Sequence, residues 1–283
     1  MRIRTVDYAL RYILERKMRW IVVIGIELLY FIYLVNPYRT FCINFDEQIN
    51  PWIFTFLMSD LLIHMNLTFG GLALLSDAFN NNNFIEKEKS KGAAKGIFQN
   101  FGLILMCTLI YTIVLYILSL LVFLPFVKFG TTWGTVISTF GKTQNYSSPY
   151  IPVFEITRGI VETYHPIFAN FISLLLFWLY LVFLICFMNM LNLLVNSKYA
   201  GGMIALYIAL FDISINNDLP TKLYWYSPGS LSRLGLLHIM PPIGLSPIVY
   251  AFEVLVGGII IVFLMLLLML QVLGYRKSKK KKG

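Results

Sequence analysis

Of the 283 residues, 58% are hydrophobic and only 13% charged, with a mean hydropathy of +0.72. Soluble domains carry about 25% charged residues, so this composition excludes an ordinary soluble globule, which would have no means of covering its surface. The net charge of +9 does not point to nucleic acid, because the basic residues cluster beside apolar runs, as on the cytoplasmic face of a membrane protein.

Residues 1–18 interleave Arg2, Arg4, Arg11, Arg16 and Lys17 with Ile3, Val6, Leu10, Ile13 and Leu14. Apolar residues three and four apart predict an amphipathic helix whose basic face suits phospholipid headgroups. A first span of 19–36 follows. Its basic start resembles a secretory signal, but it ends at Asn36-Pro37-Tyr38 without a small-residue cleavage site and reads as an uncleaved span. Residues 37–50 read as an outer loop and 51–75 as the second span. A cytoplasmic segment, 76–95, contains Asn80 to Asn83 and then Glu86-Lys87-Glu88-Lys89. The third span is 96–125, and 127–165 reads as an outer loop. The fourth span is 166–195 and the fifth 200–214. In 215–250, the Leu-rich stretch Leu231 to Met240 precedes Pro241-Pro242 and Pro247. Ten apolar residues are too few to cross a bilayer, since a span needs ~20, so Leu231–Pro247 is expected to re-enter from the outer side. The sixth span is 251–273, and 276–283 forms a basic tail.

Placing the N-terminus inside puts 17 Lys and Arg on the cytoplasmic side and six outside: Arg39, Lys128, Lys142, Arg158, Lys222 and Arg233. That asymmetry follows the positive-inside rule. The predicted fold class is therefore all-α: a polytopic membrane protein of six spans, with an N-terminal interfacial helix, a re-entrant segment and both termini cytoplasmic in the cell membrane. Trp20, Tyr30, Tyr33, Tyr38, Trp52, Tyr224, Trp225 and Tyr226 mark the interfacial aromatic belts.

Familiar catalytic motifs are missing. Gly141-Lys142-Thr143 matches the end of a phosphate-binding loop, but Val136 stands where its first glycine belongs. Cys42, Cys107 and Cys186 are too scattered for a disulfide framework or a zinc site, and no metal or other cofactor is expected on this chain. Asn145-Tyr146-Ser147 fits the glycosylation pattern, which has meaning only in a eukaryotic secretory setting.

Ionisable residues inside spans carry more information, because each costs at least ~2.5 kcal/mol at the bilayer centre on insertion scales. Glu27 lies midway along the first span, and Asp60 and His64, four apart, share a face of a continuous second helix. These three residues either line a substrate or proton route or form a structural clasp between the first two spans. Asp212 and Glu253 fall near outer span ends.

The basic helix at Arg2–Met18, the six spans, the charged segment after the second span and the broken Leu231–Pro247 stretch together resemble the membrane subunits of type-2 ATP-binding-cassette (ABC) exporters. The likeness is architectural and spans the whole chain. It implies a permease subunit that is not itself an enzyme, paired with a second permease subunit and with a separate ATPase that binds the ATP. It also implies that the ATPase docks on Arg11, Glu15, Asp77, Glu86 and Lys87, and that an amphipathic compound, peptide or lipid-like molecule is exported. The loop 127–165 is longer than that family leads one to expect. Two other readings stand beside it. One is a membrane-embedded lipid-modifying enzyme using Asp60, His64 and Glu27. The other is a membrane anchor or immunity protein without transport of its own.

Overall fold

The computed structural model describes residues 2–75, 93–143, 150–195, 200–217, 221–239 and 246–280. Among these the regular structure is helical: α1 (Arg2–Glu15), α2 (Lys17–Phe45), α3 (Phe54–Ser59), α4 (Leu61–Leu75), α5 (Ala93–Leu121), α6 (Gly134–Lys142), α7 (Arg158–Thr163), α8 (Pro166–Val195), α9 (Ala200–Asn217), a 3-10 turn (Thr221–Tyr226), α10 (Pro228–Leu231), α11 (Leu234–Ile239) and α12 (Pro247–Lys280).

Four of these helices, α2, α5, α8 and α12, are long and apolar enough to cross a membrane, which marks a multi-pass membrane protein. The apolar stretches of α4 and α9 are shorter. Helix α8 is the hub. Its most apolar window is 67% buried against 28% for α2 and 22% for α12, and α3, α4, α5, α9 and α12 all pack on it. Leu176, Phe177, Tyr180, Leu181, Leu184, Ile185 and Met188 are buried along its length. By contrast α2 and α12 each expose a row of large apolar side chains, including Ile26, Leu29, Ile260 and Leu264, as helices facing lipid do.

The structure departs from the sequence-based expectations in four places. First, α2 does not end near residue 36: it runs through Pro37 to Phe45 and is closed by Asp46 in the left-handed conformation. At 1.5 Å per residue its 29 residues reach about 43 Å, more than the ~30 Å hydrocarbon thickness. Most of the expected loop 37–50 is therefore helix. The extension is held from the side: Tyr38 and Phe41 pack on Phe140, the Tyr38 ring lies tilted against Phe154, and the buried Tyr38 hydroxyl donates to the Phe154 carbonyl at 2.6 Å.

Second, the expected outer loop 127–165 contains α6 and α7 and is a packed cap. Ile49 and Val127 form an isolated parallel bridge, with Ile49 N–H donating to the Phe126 carbonyl and Lys128 N–H to the Ile49 carbonyl, both at 2.9 Å. Asn50 donates to the Thr132 carbonyl, Trp52 to Gly130 and Trp133 to Tyr164. Gly141 and Lys142 close α6 instead of preceding a helix, so they lack the setting of a phosphate-binding loop.

Third, the second apolar run is not one helix. It breaks at Asp60, whose backbone is extended, between α3 and α4. Fourth, α12 runs on to Lys280, so the start of the expected basic tail is helical. The expected re-entrant stretch begins with α10 and α11, whose Leu231, Leu234 and Leu237 are buried where α11 packs against α3, α7, α8 and α12. Asn145 of the glycosylation pattern lies outside the described residues.

Candidate functional site

Of the three ionisable residues expected in the spans, two stand in separate buried clusters and the third is a partly buried carboxylate. Glu27 is 2% exposed on α2. Asn66 of α4 donates to its Oε2 at 3.1 Å, and the Tyr111 hydroxyl of α5 lies over the same glycine as its Oε1. Tyr111 gives its single hydrogen to the Leu67 carbonyl at 2.8 Å. The three helices can approach this closely because α4 carries Gly70-Gly71 at the crossing. A Cβ on Gly70 would meet the Glu27 carboxyl at 2.6 Å and collide with the Tyr111 hydroxyl, and one on Gly71 would press on Leu181 at 3.0 Å. Glu27, Asn66 and Tyr111 thus form a polar clasp joining α2, α4 and α5.

His64 of α4, also 2% exposed, faces another way. Its ring packs between Phe177 and Tyr180 of α8, with centroids 5.2 Å from each, and its Nε2 lies 2.8 Å from the Ser232 hydroxyl. Ser232 donates its single hydrogen to the Gly229 carbonyl at 2.7 Å. The imidazole is consequently the donor in the His64–Ser232 bond, with its hydrogen on Nε2. The half-buried Ser59 hydroxyl donates to the Thr55 carbonyl and accepts from Gly235 N–H at 3.2 Å. His64 and Ser59 therefore fasten the α10–α11 hairpin to the α3–α4 break.

Asp60 sits at that break. Its Oδ1 accepts from the N–H groups of Leu62 and Ile63, both at 3.0 Å, and so caps α4. The side chain is only partly buried and Leu62 beside it is exposed. The shared Asp60–His64 face expected of a continuous helix does not exist, because the extended residue at 60 restarts the helix and makes Asp60 its cap. Glu27, Asp60 and His64 have separate partners, and no hydrogen bond links them to one another. The dyad His64–Ser232 is fully enclosed, with the proton running from imidazole to hydroxyl. That is the reverse of what a serine nucleophile needs from a general base.

At the Leu75 end of α4, helix α1 lies against α5 and α2 with Ala9 and Tyr12 buried. The Tyr12 hydroxyl donates to the Leu74 carbonyl at 3.3 Å, and the Arg16 guanidinium covers the Tyr12 ring at 4.1 Å. This leaves Arg11 and Glu15 exposed, beside the point where the chain enters 76–92. Asp77, Glu86 and Lys87 lie outside the described residues. Asp212 is on α9, and Glu253 is exposed within the first two turns of α12.

Sequence reasoning did not single out Asn66, Gly70, Tyr111 and Ser232. A signal existed for two of them: an asparagine and a glycine pair inside an apolar run mark a close polar crossing. Among the described residues no group of three or more His, Cys, Asp or Glu is placed to hold a metal ion. No protein-family model, curated protein or solved structure matches this chain.

Proposed function

We propose that the chain is the permease subunit of an ABC-type export complex in the cell membrane. It crosses the bilayer six times with both termini cytoplasmic and couples to a separate ATPase subunit. The observation that carries this reading is the Tyr12–Leu74 junction. It pins an amphipathic N-terminal helix to the end of α4, which leaves Arg11 and Glu15 exposed on the helix held at that end. A rigid helix braced on two spans can transmit a push from a docked engine to α2, α4 and α5. In this reading α3 and α4 together form one interrupted span, α9 forms another, and the α10–α11 hairpin belongs to a segment re-entering from the outer side.

Interrupted spans are tolerated in membranes where the freed backbone groups find partners inside the protein. Here the Asp60 carboxylate serves α4 and the Ser59 hydroxyl serves Gly235. A second permease subunit would cover part of the exposed face of α2 or α12, and the ATP would be bound by the partner ATPase.

The test is site-specific photo-crosslinking from Arg11 and Glu15, in cells of the native host, with the crosslinked product sequenced. A product bearing a phosphate-binding loop, lost on reversing Glu86 and Lys87, supports the docking surface. Crosslinks to lipid alone from both positions contradict it.

A further inference from the structure

The cap beside the Phe45 end of α2 encloses a cavity of about 370 Å³, within the size range of small-molecule sites. Its walls are fixed by backbone bonding. Residues 46–50 run beside 126–132, with Lys128 N–H on the Ile49 carbonyl at 2.9 Å and Asn50 Nδ2 on the Thr132 carbonyl at 2.7 Å. The start of α6 closes the third side. Gly134, at φ 74°, lets that start come close, since a Cβ there would meet the Asn50 amide at 2.8 Å.

Asp46, Glu47 and Lys128 all line this one cavity, yet among the described residues none of them is in an ion pair. Two carboxylates and an ammonium therefore face the same space without neutralising each other. Asn50, only 6% exposed, also lines it, and its Oδ1 accepts no hydrogen bond among the described residues. No side chain caps α6, so the N–H groups of its first turn, beside Thr135 in the same wall, have no side-chain acceptor. The cavity thus offers acceptors from Asp46, Glu47 and Asn50, and donors from Lys128 and the positive end of α6.

A metal ion would suit the carboxylates but be repelled by Lys128, and a simple anion would be repelled by the carboxylates. A ligand carrying both charges satisfies both sets. A primary ammonium fits the acceptors best, because it brings three N–H donors where a quaternary ammonium brings none. The rim shows where such a ligand comes from. The apolar stretch of α5, long enough to cross a membrane, ends at Leu121, and Leu124 and Phe129 stand exposed just beyond it, Phe129 next to Lys128. An apolar edge at the end of a span lies at the level of phospholipid headgroups.

We infer that this cavity binds the phosphoethanolamine head of a membrane lipid, its ammonium on Asp46 and Glu47 and its phosphate on Lys128 and the start of α6. The inference stands whether or not the chain is a permease.

The experiment uses the chain in phosphatidylcholine nanodiscs, with a phosphatidylethanolamine carrying a diazirine in its acyl chain as the probe and mass spectrometry to locate the crosslinks. Wild type should be labelled saturably within residues 121–135, with unlabelled phosphatidylethanolamine competing and added phosphatidylcholine not. The pair Asp46→Asn and Glu47→Gln, and separately Lys128→Gln, should each weaken labelling about tenfold. Their melting temperatures should stay at the wild-type value, since these side chains are exposed or half-buried and Asn tolerates the left-handed backbone at 46. Lys142→Gln removes a cation of the same cap outside this cavity and should change nothing. Absence of saturable labelling, equal competition by phosphatidylcholine, or unchanged labelling in both charge variants overturns the inference. So does labelling that falls only together with melting temperature, which would show a folding role alone. Free phosphoethanolamine competing as strongly as the lipid would overturn the lipid as the source.

Discussion

His64 Nε2 and the Ser232 hydroxyl lie 2.8 Å apart across 168 positions of sequence, and this buried bond ties the α10–α11 hairpin to the helix that restarts at Asp60. Because Ser232 spends its hydrogen on Gly229, the imidazole must donate. Ser232→Ala removes the acceptor and leaves a buried N–H without a partner, a loss of ~1–3 kcal/mol. The measurement is a denaturation curve in detergent, and nitrogen NMR of labelled His64 should report the Nε2–H tautomer. The Nδ1–H tautomer would reverse the assigned direction.

Gly70 is the contact point of the polar clasp. Gly70→Ala places a methyl against Glu27 and the Tyr111 hydroxyl, and overpacking of this kind costs ~1–3 kcal/mol. Tyr111→Phe in the same chain removes one of the two colliding oxygens. The double variant should therefore be less destabilised than the sum of the singles, and a strictly additive cycle would refute the shared contact.

The packing of α9 on α8 depends on Gly201. Its N–H donates to Asn192 at 2.8 Å, and a Cβ there would collide with the Met188 carbonyl, which is backbone and cannot yield. Gly201→Ala should lower the yield of folded monodisperse protein severely, read by fluorescence-detected size exclusion. Gly25→Ala, which has open space around it, should leave that yield unchanged.

The cap over the end of α2 should loosen when Tyr38 loses its hydroxyl. Tyr38→Phe keeps the ring contacts with Phe140 and Phe154 and deletes the 2.6 Å bond. A stability loss of ~1 kcal/mol is expected, with faster hydrogen exchange confined to residues 150–157. Exchange unchanged in that stretch would show that the aromatic contacts suffice.

Topology can be read without removing native thiols, since Cys42, Cys107 and Cys186 are buried. A cysteine in place of exposed Lys142 should react with an impermeant maleimide on intact cells, and one in place of exposed Arg11 only after lysis. The opposite pattern would invert the proposed orientation.

The sequence shows the helices well because hydropathy is a one-dimensional property: α8 starts and ends where the apolar run does, at Pro166 and Val195. Breaks and partners are less visible. The apolar run resumes directly after Ser59 and Asp60 and so reads as one span, yet both are helix-start residues, and that chemistry overrides the run. Pro37 reads as a terminator, but α2 continues past it, fixed by ring packing from α6 and Phe154 that no local pattern announces. The division of Glu27, Asp60 and His64 into separate environments depends on Asn66, Tyr111 and Ser232, two of which come from distant elements. Depth along a span places such residues at a similar level, and only packing decides which side they face.

As the proposed membrane half of an ATP-driven pump, the chain should travel with its ATPase. The most direct measurement is to purify the tagged chain from native-host membranes in mild detergent, identify what accompanies it and assay ATP hydrolysis. The account predicts a stoichiometric partner bearing a phosphate-binding loop, with ATPase activity that leaves the complex when Arg11 and Glu15 are both charge-reversed. A chain that elutes without any such partner, at wild-type yield and stability, would contradict it.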